Sequence, residues 1–421
     1  MPPARTIADL LEQLVGPDLP IAIEAYDGSR LGPTDAPATL HIRSQMALRR
    51  IVQAPGELGF GRAYVAGDLD LEGDIFAALE LRDRLPDLKL RPAQWLAALR
   101  LVGSGALKPV AAPPEEARLH GRRHTKARDA AAISHHYDVS NDFYRRVLGP
   151  SMTYSCAVWT DPAITLEDAQ ANKHELICRK LGLAPGMRLL DIGCGWGGML
   201  LHAAEHHGVQ AVGVTLSRRQ AELAEKRAAE AGLAGKIEVR YQDYRDVDDG
   251  PYDAISSIGM FEHVGLRQLA VYFERCRELL PSGGRLLNHA ISRPPGVLGS
   301  TADGRARFAR RSFIDRYVFP DGELHEVGSV VSAIQRAGFE ARHMESIREH
   351  YALTLRRWVA NLEANWDACV SDAGRARARI WRLYMAASAI QFEANRTQVH
   401  QVLATKTDRG GSGLPLRPRF E

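Results

Sequence analysis

Little in this sequence is concentrated. Its 421 residues hold five cysteines, at positions 156, 178, 194, 276 and 369, odd in number and with no CxxC pair. That spacing excludes a disulfide framework and a zinc ribbon, and it fits a reduced, cytoplasmic compartment. Neither sign of charge is in excess: 54 Lys and Arg against 51 Asp and Glu leave +3. Such a balance excludes a general nucleic-acid binder, so any anionic partner must meet a local patch. No apolar run approaches the roughly 18 residues that span a bilayer. Asp9 and Glu12 interrupt the apolar stretch at the start of the chain, which reads as a short helix and not as a signal peptide. Internal repeats and low-complexity tracts are missing too. What remains has the 45% hydrophobic and 25% charged residues of a globular protein. At about 150 residues per domain it is long enough for two or three domains.

Between about 20 and 85 short apolar segments alternate with turn signals, followed by the Gly- and acid-rich LGFGRAYVAGDLDLEGD. This pattern predicts a small α+β domain, closed by a helix in RPAQWLAALRLVGSGALK. The proline-bearing SGALKPVAAPPEEA reads as a linker. A basic segment with Arg118, Arg122, Arg123, Lys126 and Arg128 comes next. Past residue 131 strands alternate with amphipathic helices, the mark of a parallel α/β sheet. MRLLDIG, QAVGVTL, KIEVRYQD, YDAISSIG and RLLNHAIS are the strands. In SRRQAELAEKRAAEAG, Ser217 and Gln220 predict a capping box and Gly232 the C-cap. Late in the chain TQVHQVLATK alternates like an edge strand. The expected division is 1–104, a linker and basic segment 105–130, a catalytic domain 131–408, and a tail 409–421.

Chemistry first shows in DIGCGWGG, at the turn from strand to helix. Glycines there let a ligand approach the backbone at a helix N-terminus. GxGxxG alone is a weak signal shared with dinucleotide-binding proteins. Asp191, ahead of Gly193 and Gly195, separates the readings. A carboxylate there suits an ammonium group and repels a pyrophosphate, which favours S-adenosylmethionine (SAM) over a dinucleotide. The second strand ends in Thr215, Leu216 and Ser217, where such folds usually place an acid for the ribose. Hydroxyls with Gln220 can fill that role, and Ser217 equally serves as a helix cap. Gln242, Asp243 and Tyr244 sit where an adenine would lie, although Asp and Tyr are also common turn-makers.

Taken together, HHYDVSNDFY (135–144), MTYSCAVW (152–159), LLDIGCGWGG (189–198), VTLSRRQ (214–220), YQDYRD (241–246) and GMFEHVG (259–265) resemble the cyclopropane-fatty-acyl-phospholipid synthases and the related mycolic-acid methyltransferases. The resemblance is strong over about 135–405 and weaker over the first hundred residues, which are similar to a lipid-binding-type amino-terminal domain. It implies a class I SAM-dependent methyltransferase with a Rossmann-like sheet. The implied reaction transfers a one-carbon unit to a cis double bond in a phospholipid acyl chain.

The resemblance further implies site residues. Tyr154 and Ser155 match positions that contact SAM, Gly193 and Gly195 the methionine loop, Thr215 to Gln220 the ribose segment, and Tyr244 the adenine side. Members of the family hold a bicarbonate ion as general base, and its pocket corresponds to Cys156, Glu262, His289, Tyr351 and the backbone at Ile291. Such a set suits the chemistry. An alkene is a poor nucleophile and must be held in line in a dry pocket. The resulting cation must then lose a proton before water can attack. Glu262 can accept from a bicarbonate hydroxyl while His289 and Tyr351 donate to its oxygens. Phe261 and Tyr317 are candidates to stabilise the cation through their ring faces.

One position departs from the family: Ser388 stands where some members have a cysteine in a late helix, which puts a late-cysteine mechanism in doubt. His135–His136 and His206–His207 lack zinc-ligand spacing and imply no metal. The basic stretches 118–128 and 305–316 fit peripheral docking on an anionic membrane face, and the family often pairs its amino-terminal domains in a homodimer. The pocket residues fit either a cyclopropane or a methylene-branched product. Two competing readings stay open, a methyltransferase of a small soluble acceptor and a non-catalytic lipid-binding relative.

Overall fold

A computed structural model describes residues 5–84, 100–101, 108–117, 125–126, 128–129, 140–295 and 312–420. The chain forms two compact units, and neither is contiguous in sequence. The first comprises 1–117, 303–318 and 366–390; the second comprises 118–302, 319–365 and 391–421. These boundaries differ from the contiguous division expected from composition.

The first unit opens with the helix Ile7–Val15, held by a capping box in which Thr6 and Asp9 satisfy each other's backbone N–H. Its sheet contains β1 (Ala22–Ala25), β2 (Arg30–Leu31), β3 (Ala38–Ile42) and β4 (Leu69–Gly73), in the order β2-β1-β3-β4. The stretch LGFGRAYVAGDLDLEGD supplies both the helix Glu57–Ala66 and β4. The closing helix expected over 91–108 lies almost wholly outside the described residues.

Later segments of the chain complete this unit. A Cβ on Gly61 would fall 2.3 Å from the Phe313 ring, so only glycine admits that ring. Arg379, 6% exposed, donates to the carbonyls of Tyr64 (2.8 Å) and Leu69 (3.0 Å) and to the Asp70 carboxylate (2.8 Å). Arg382 reaches the Leu71 carbonyl at 3.1 Å. Tyr317 packs within this unit, its hydroxyl donating to Glu116 at 3.3 Å.

The second unit carries a seven-stranded sheet of β5 (Arg188–Ile192), β6 (Gln210–Thr215), β7 (Ile237–Tyr241), β8 (Ala254–Ile258), β9 (Arg285–Ser292), β10 (Glu340–Ser346) and β11 (Gln398–Thr405). The order is β10-β11-β9-β8-β5-β6-β7. The five strands expected from the sequence pair in parallel, and β11 runs antiparallel between β9 and β10. Their apolar residues fill cores on both faces, with Leu190, Ile255 and Leu286 in one cluster and Leu189, Ala254 and Leu287 in the other. Burial on both sides is why these strands read as nearly continuous apolar runs.

Two expectations are corrected. TQVHQVLATK is not at the edge: β11 is interior, and EARHMES, strand β10, takes the edge. The polar residues of β11 that suggested exposure are buried, Gln401 completely and His400 at 7%. The capping box on the helix Arg218–Glu230 is half formed. Ser217 accepts from the Gln220 N–H, but the Gln220 side chain turns to Thr215, and Ala231 is the C-cap, with Gly232 following at φ +70°.

Replacing Arg379 by Met strips a buried donor from two carbonyls and a carboxylate. A loss of about 3 kcal/mol is expected in equilibrium urea unfolding, with Arg379→Lys recovering part of it.

Candidate active site

At the carboxyl end of β5 the chain must turn sharply before the helix Gly198–His206. Val214 O on the neighbouring strand accepts from the N–H groups of both Gly193 (2.9 Å) and Cys194 (3.1 Å). Gly193 adopts φ +80°, and a Cβ there would lie 2.7 Å from the Met260 side chain. Glycine is therefore required on both conformational and steric grounds. The turn forms the floor of a cleft at the carboxyl edge of the parallel strands, the usual ligand position in such sheets.

The cleft brings together Tyr154, Ser155, Asp191, Gly193, Gly195, Thr215, Leu216, Gln220, Gln242, Asp243 and Tyr244. Among the residues expected to face the cofactor, Ser217 alone does not line it; it caps the following helix. Thr215 donates to Gln220 at 2.8 Å. Asp243 accepts from the Arg245 backbone at 2.9 Å and from its guanidinium at 2.6 Å, so it serves here as a turn-maker and ion-pair partner.

Asp191 is 2% exposed and accepts from Ser256 Oγ at 2.7 Å; burial pushes its carboxyl up to about 6. Beside the cleft, Lys173 is wholly buried, donates to Ser155 Oγ at 2.8 Å, and is brought down by burial to about 7. Sequence reasoning missed Lys173. It sits in the helix Leu166–Leu181 among ordinary charged residues, and nothing in the pattern separates it from a solvated lysine.

Cys156, Glu262, His289, Ile291 and Tyr351 do not line this cleft. Several adjoin it in sequence: Cys156 follows Ser155, and Glu262 lies in the 3₁₀ turn Phe261–His263 between the lining residues Met260 and His263. Phe261 packs against Tyr272 and Phe273. Glu262 Oε1 accepts from the Ile291 N–H at 2.6 Å, which engages the backbone group that the sequence singled out. Its Oε2 is buried and has no hydrogen-bond partner among the described residues. Burial raises this carboxyl to about 7.

His289 Nε2 is also buried without a partner among the described residues, and burial holds its imidazole well below the ordinary range, so it is neutral. Lys180, 1% exposed, donates to Gln401 Oε1 at 2.7 Å, and Gln401 Nε2 lies 3.3 Å from His289 Nδ1. A lysine ammonium only donates, so the glutamine presents its oxygen to Lys180 and its NH₂ to the imidazole. Nδ1 is then the acceptor, and the ring proton sits on Nε2.

The Cys156 thiol, pushed well up by burial, lies 3.6 Å from the Ile347 carbonyl, just ahead of the helix Arg348–Ala364 that carries Tyr351. Tyr351 lies tilted against Phe392 (4.7 Å) and meets Trp358 edge-on (6.0 Å); Trp358 in turn lies 5.3 Å from Tyr154. Ser388 is 9% exposed on the helix Arg375–Glu393.

His206 and His207 do not act as a pair. His207 turns to Glu175 (2.9 Å), while the His206 side chain is 54% exposed. His135 and His136 lie outside the described residues, as do most of the basic stretches 118–128 and 305–316. Within those stretches, Lys126 pairs with Asp246 (2.6 Å), Arg128 with Asp321, and Arg316 with Glu116 (3.9 Å). No described helix is long and apolar enough to cross a membrane.

The doubly covered parallel sheet and the glycine turn with its acid define a class I SAM-dependent methyltransferase. The family model described as mycolic acid cyclopropane synthetase matches residues 124–402, and the chain belongs to that family. It is 47% identical over 414 residues to a probable fatty acid methyltransferase of Mycobacterium tuberculosis, covering 96% of this chain and 95% of the relative. It is 33% identical over 377 residues to the cyclopropane-fatty-acyl-phospholipid synthase of Escherichia coli, covering 89% and 90%. Among solved structures, mycolic acid cyclopropane synthase CmaA1 complexed with SAH and CTAB matches with a TM-score of 0.62 and 34% identity, over 66% of this chain and 98% of that one.

Because Glu262 holds its proton to about 7 in the folded state against 4.5 in the open chain, the folded protein binds more protons between those values. Its stability relative to Glu262→Gln is therefore fullest below pH about 4.5 and is lost as pH rises through 7. Above neutrality the glutamine variant is expected to be the more stable by up to about 3 kcal/mol. Thermal melts across that range check this; a gap independent of pH would contradict it.

Proposed function

We propose that this methyltransferase transfers a one-carbon unit from SAM to the cis double bond of an unsaturated acyl chain in a membrane phospholipid, giving a cyclopropane or methylene-branched product. The observation that carries the reading is the buried pair of unmet groups, an acceptor at Glu262 Oε2 and a donor at His289 Nε2. Buried polar atoms without partners are rare and want an explanation. A small anion with one hydroxyl is the ligand chemistry that would suit both groups, donating to the carboxylate and accepting from the imidazole. The names of the fatty acid methyltransferase and phospholipid synthase relatives support the substrate class.

When bound, SAM would supply an electrophilic methyl group and bicarbonate would supply a base for the departing proton. The chain's own residues do the rest. The glycine turn offers bare backbone to the methionine end, and Asp191 supplies the negative charge that an ammonium group requires. Lys173 holds the Ser155 hydroxyl and sets the charge balance opposite Asp191, carrying its own charge only below about 7. Glu262, poised near neutrality, can hold or release a proton at Oε2, as a proton relay requires. Cys156, Tyr351 and their apolar surroundings exclude water, so that the product is a ring or branch and not an alcohol. Peripheral docking on anionic headgroups through Lys and Arg of 118–128 or of 305–316 belongs to the same reading, each exposed cation being worth on the order of 1 kcal/mol there, although the described Lys126, Arg128 and Arg316 are held in ion pairs. Homodimerisation belongs to the same reading.

Incubation of the protein with SAM and vesicles of unsaturated phospholipid, followed by mass spectrometry, is expected to add one CH₂ to the acyl chain. Fragmentation across the old double bond then separates ring from branch. No mass gain on any lipid would overturn the reading. Glu262→Gln is expected to lose turnover by about 100-fold or more with unchanged affinity for SAM. Asp191→Asn should instead weaken SAM binding by roughly 10- to 100-fold in calorimetry, the loss of one charge-assisted hydrogen bond.

A further inference from the structure

Apart from the cleft, one cluster of side chains carries chemistry that the methyl transfer does not use. Cys178, on the helix Leu166–Leu181, meets His202, midway along the helix Gly198–His206, and His207, its C-cap, with their ligand-capable atoms all within 4.8 Å of one another. Glu175, one turn before Cys178, places Oε2 3.3 Å from His202 Nε2 and 2.9 Å from His207 Nε2, while Arg179 takes its other oxygen at 2.7 Å. Cys178 is fully buried, and the His202 and His207 side chains remain 13% and 18% exposed, which leaves a path in from solvent.

We propose that Cys178, His202 and His207, with Glu175 beside them, form a binding site for a divalent transition ion of the zinc class. Two imidazoles and a thiolate are the donor set that zinc and its neighbours favour over magnesium or calcium. Ligand atoms around tetrahedral zinc lie about 3.3 to 3.8 Å apart, so small side-chain rotations would close the site. The thiolate and the Glu175 carboxylate offset the charge of a dication in part, since Glu175 also carries the Arg179 guanidinium. Each imidazole binds through a ring-nitrogen lone pair and gives up its contact with Glu175 where that nitrogen is Nε2. The thiol must give up its proton, so one metal–sulfur bond forms and one proton leaves to solvent for each ion bound.

The site has a consequence for the cleft, although it does not depend on the substrate proposed for it. The helix Gly198–His206 starts directly from the glycine turn, and the helix Leu166–Leu181 carries Lys173 and His174, both of which line the cleft. An ion held between the two helices clamps together two walls of the cofactor site. Sequence spacing conceals the set, because the ligands are E-x₂-C on one helix and H-x₄-H on another. The adjacent pair His206–His207, which draws the eye, contributes only its second member.

Titration of the chelator-stripped full-length protein with Co²⁺ tests the proposal. One equivalent is expected to bind with a thiolate-to-cobalt charge-transfer band and the intense visible bands of a tetrahedral ion. Calorimetry in buffers of different ionisation enthalpy should report one proton released for each ion bound. Zn²⁺ should displace the cobalt and raise the melting temperature. Cys178→Ala and His207→Ala are expected to abolish the charge-transfer band and to weaken binding at least 100-fold, whereas His206→Ala keeps both. Retained SAM binding and near-ultraviolet circular dichroism show that the variants are folded. Absence of a charge-transfer band in the parent protein, or equal Co²⁺ affinity in parent and folded Cys178→Ala, would overturn the proposal.

Discussion

The second unit depends on one carbonyl. Val214 O, at the end of β6, takes both the Gly193 and the Cys194 N–H, and so fixes where the chain turns between β5 and its helix. Two donors on one oxygen leave the rest of the turn's backbone to face the cleft. A side chain at Gly193 would have to displace Met260, next to the segment that carries Glu262. The cofactor turn and the acid-bearing turn are thus fitted to each other through a single missing Cβ. This coupling is steric and needs no shared hydrogen bond.

Around that turn the protein buries ionisable groups that would be more comfortable in water. Asp191, Lys173 and Glu262 are each shifted toward neutrality by desolvation, and each lies at or beside the cleft. A fold selected for stability alone would place apolar residues there. The chain Lys180–Gln401–His289 shows how such groups are given direction. An ammonium that can only donate sets the orientation of an amide, and the amide sets which imidazole nitrogen bears the proton. A stability-neutral apolar substitute for Lys180 would leave the histidine without that instruction.

What the sequence made legible follows from which forces leave a local trace. Apolar runs ending in glycine marked β5 and its turn, because burial on both faces and a positive φ restrict residue choice at neighbouring positions. Ser217 could be read either as cap or ligand, since one hydroxyl suits both, and only its neighbours' placement assigns it to the cap. The alternation of TQVHQVLATK suggests an edge strand, yet β11 is interior because partners distant in sequence satisfy its polar His400 and Gln401. Lys173 left no trace at all, since its burial and its contact with Ser155 depend on a segment outside its own helix. Arg379 is buried against carbonyls more than 300 residues away, partners that its own segment does not reveal.

The composition of the first unit bears on how this protein can be taken apart. Its sheet and early helices come from the first 117 residues, yet Phe313 fills the gap at Gly61 and Arg379 closes the carbonyls around β4. Excision of the amino-terminal segment would therefore not release an intact remainder. It would strand an aromatic ring and a buried guanidinium, each shaped for a surface no longer present. Within the first unit the segment is tied to two later stretches by packing and hydrogen bonds, and recombination between relatives would have to exchange the three stretches together.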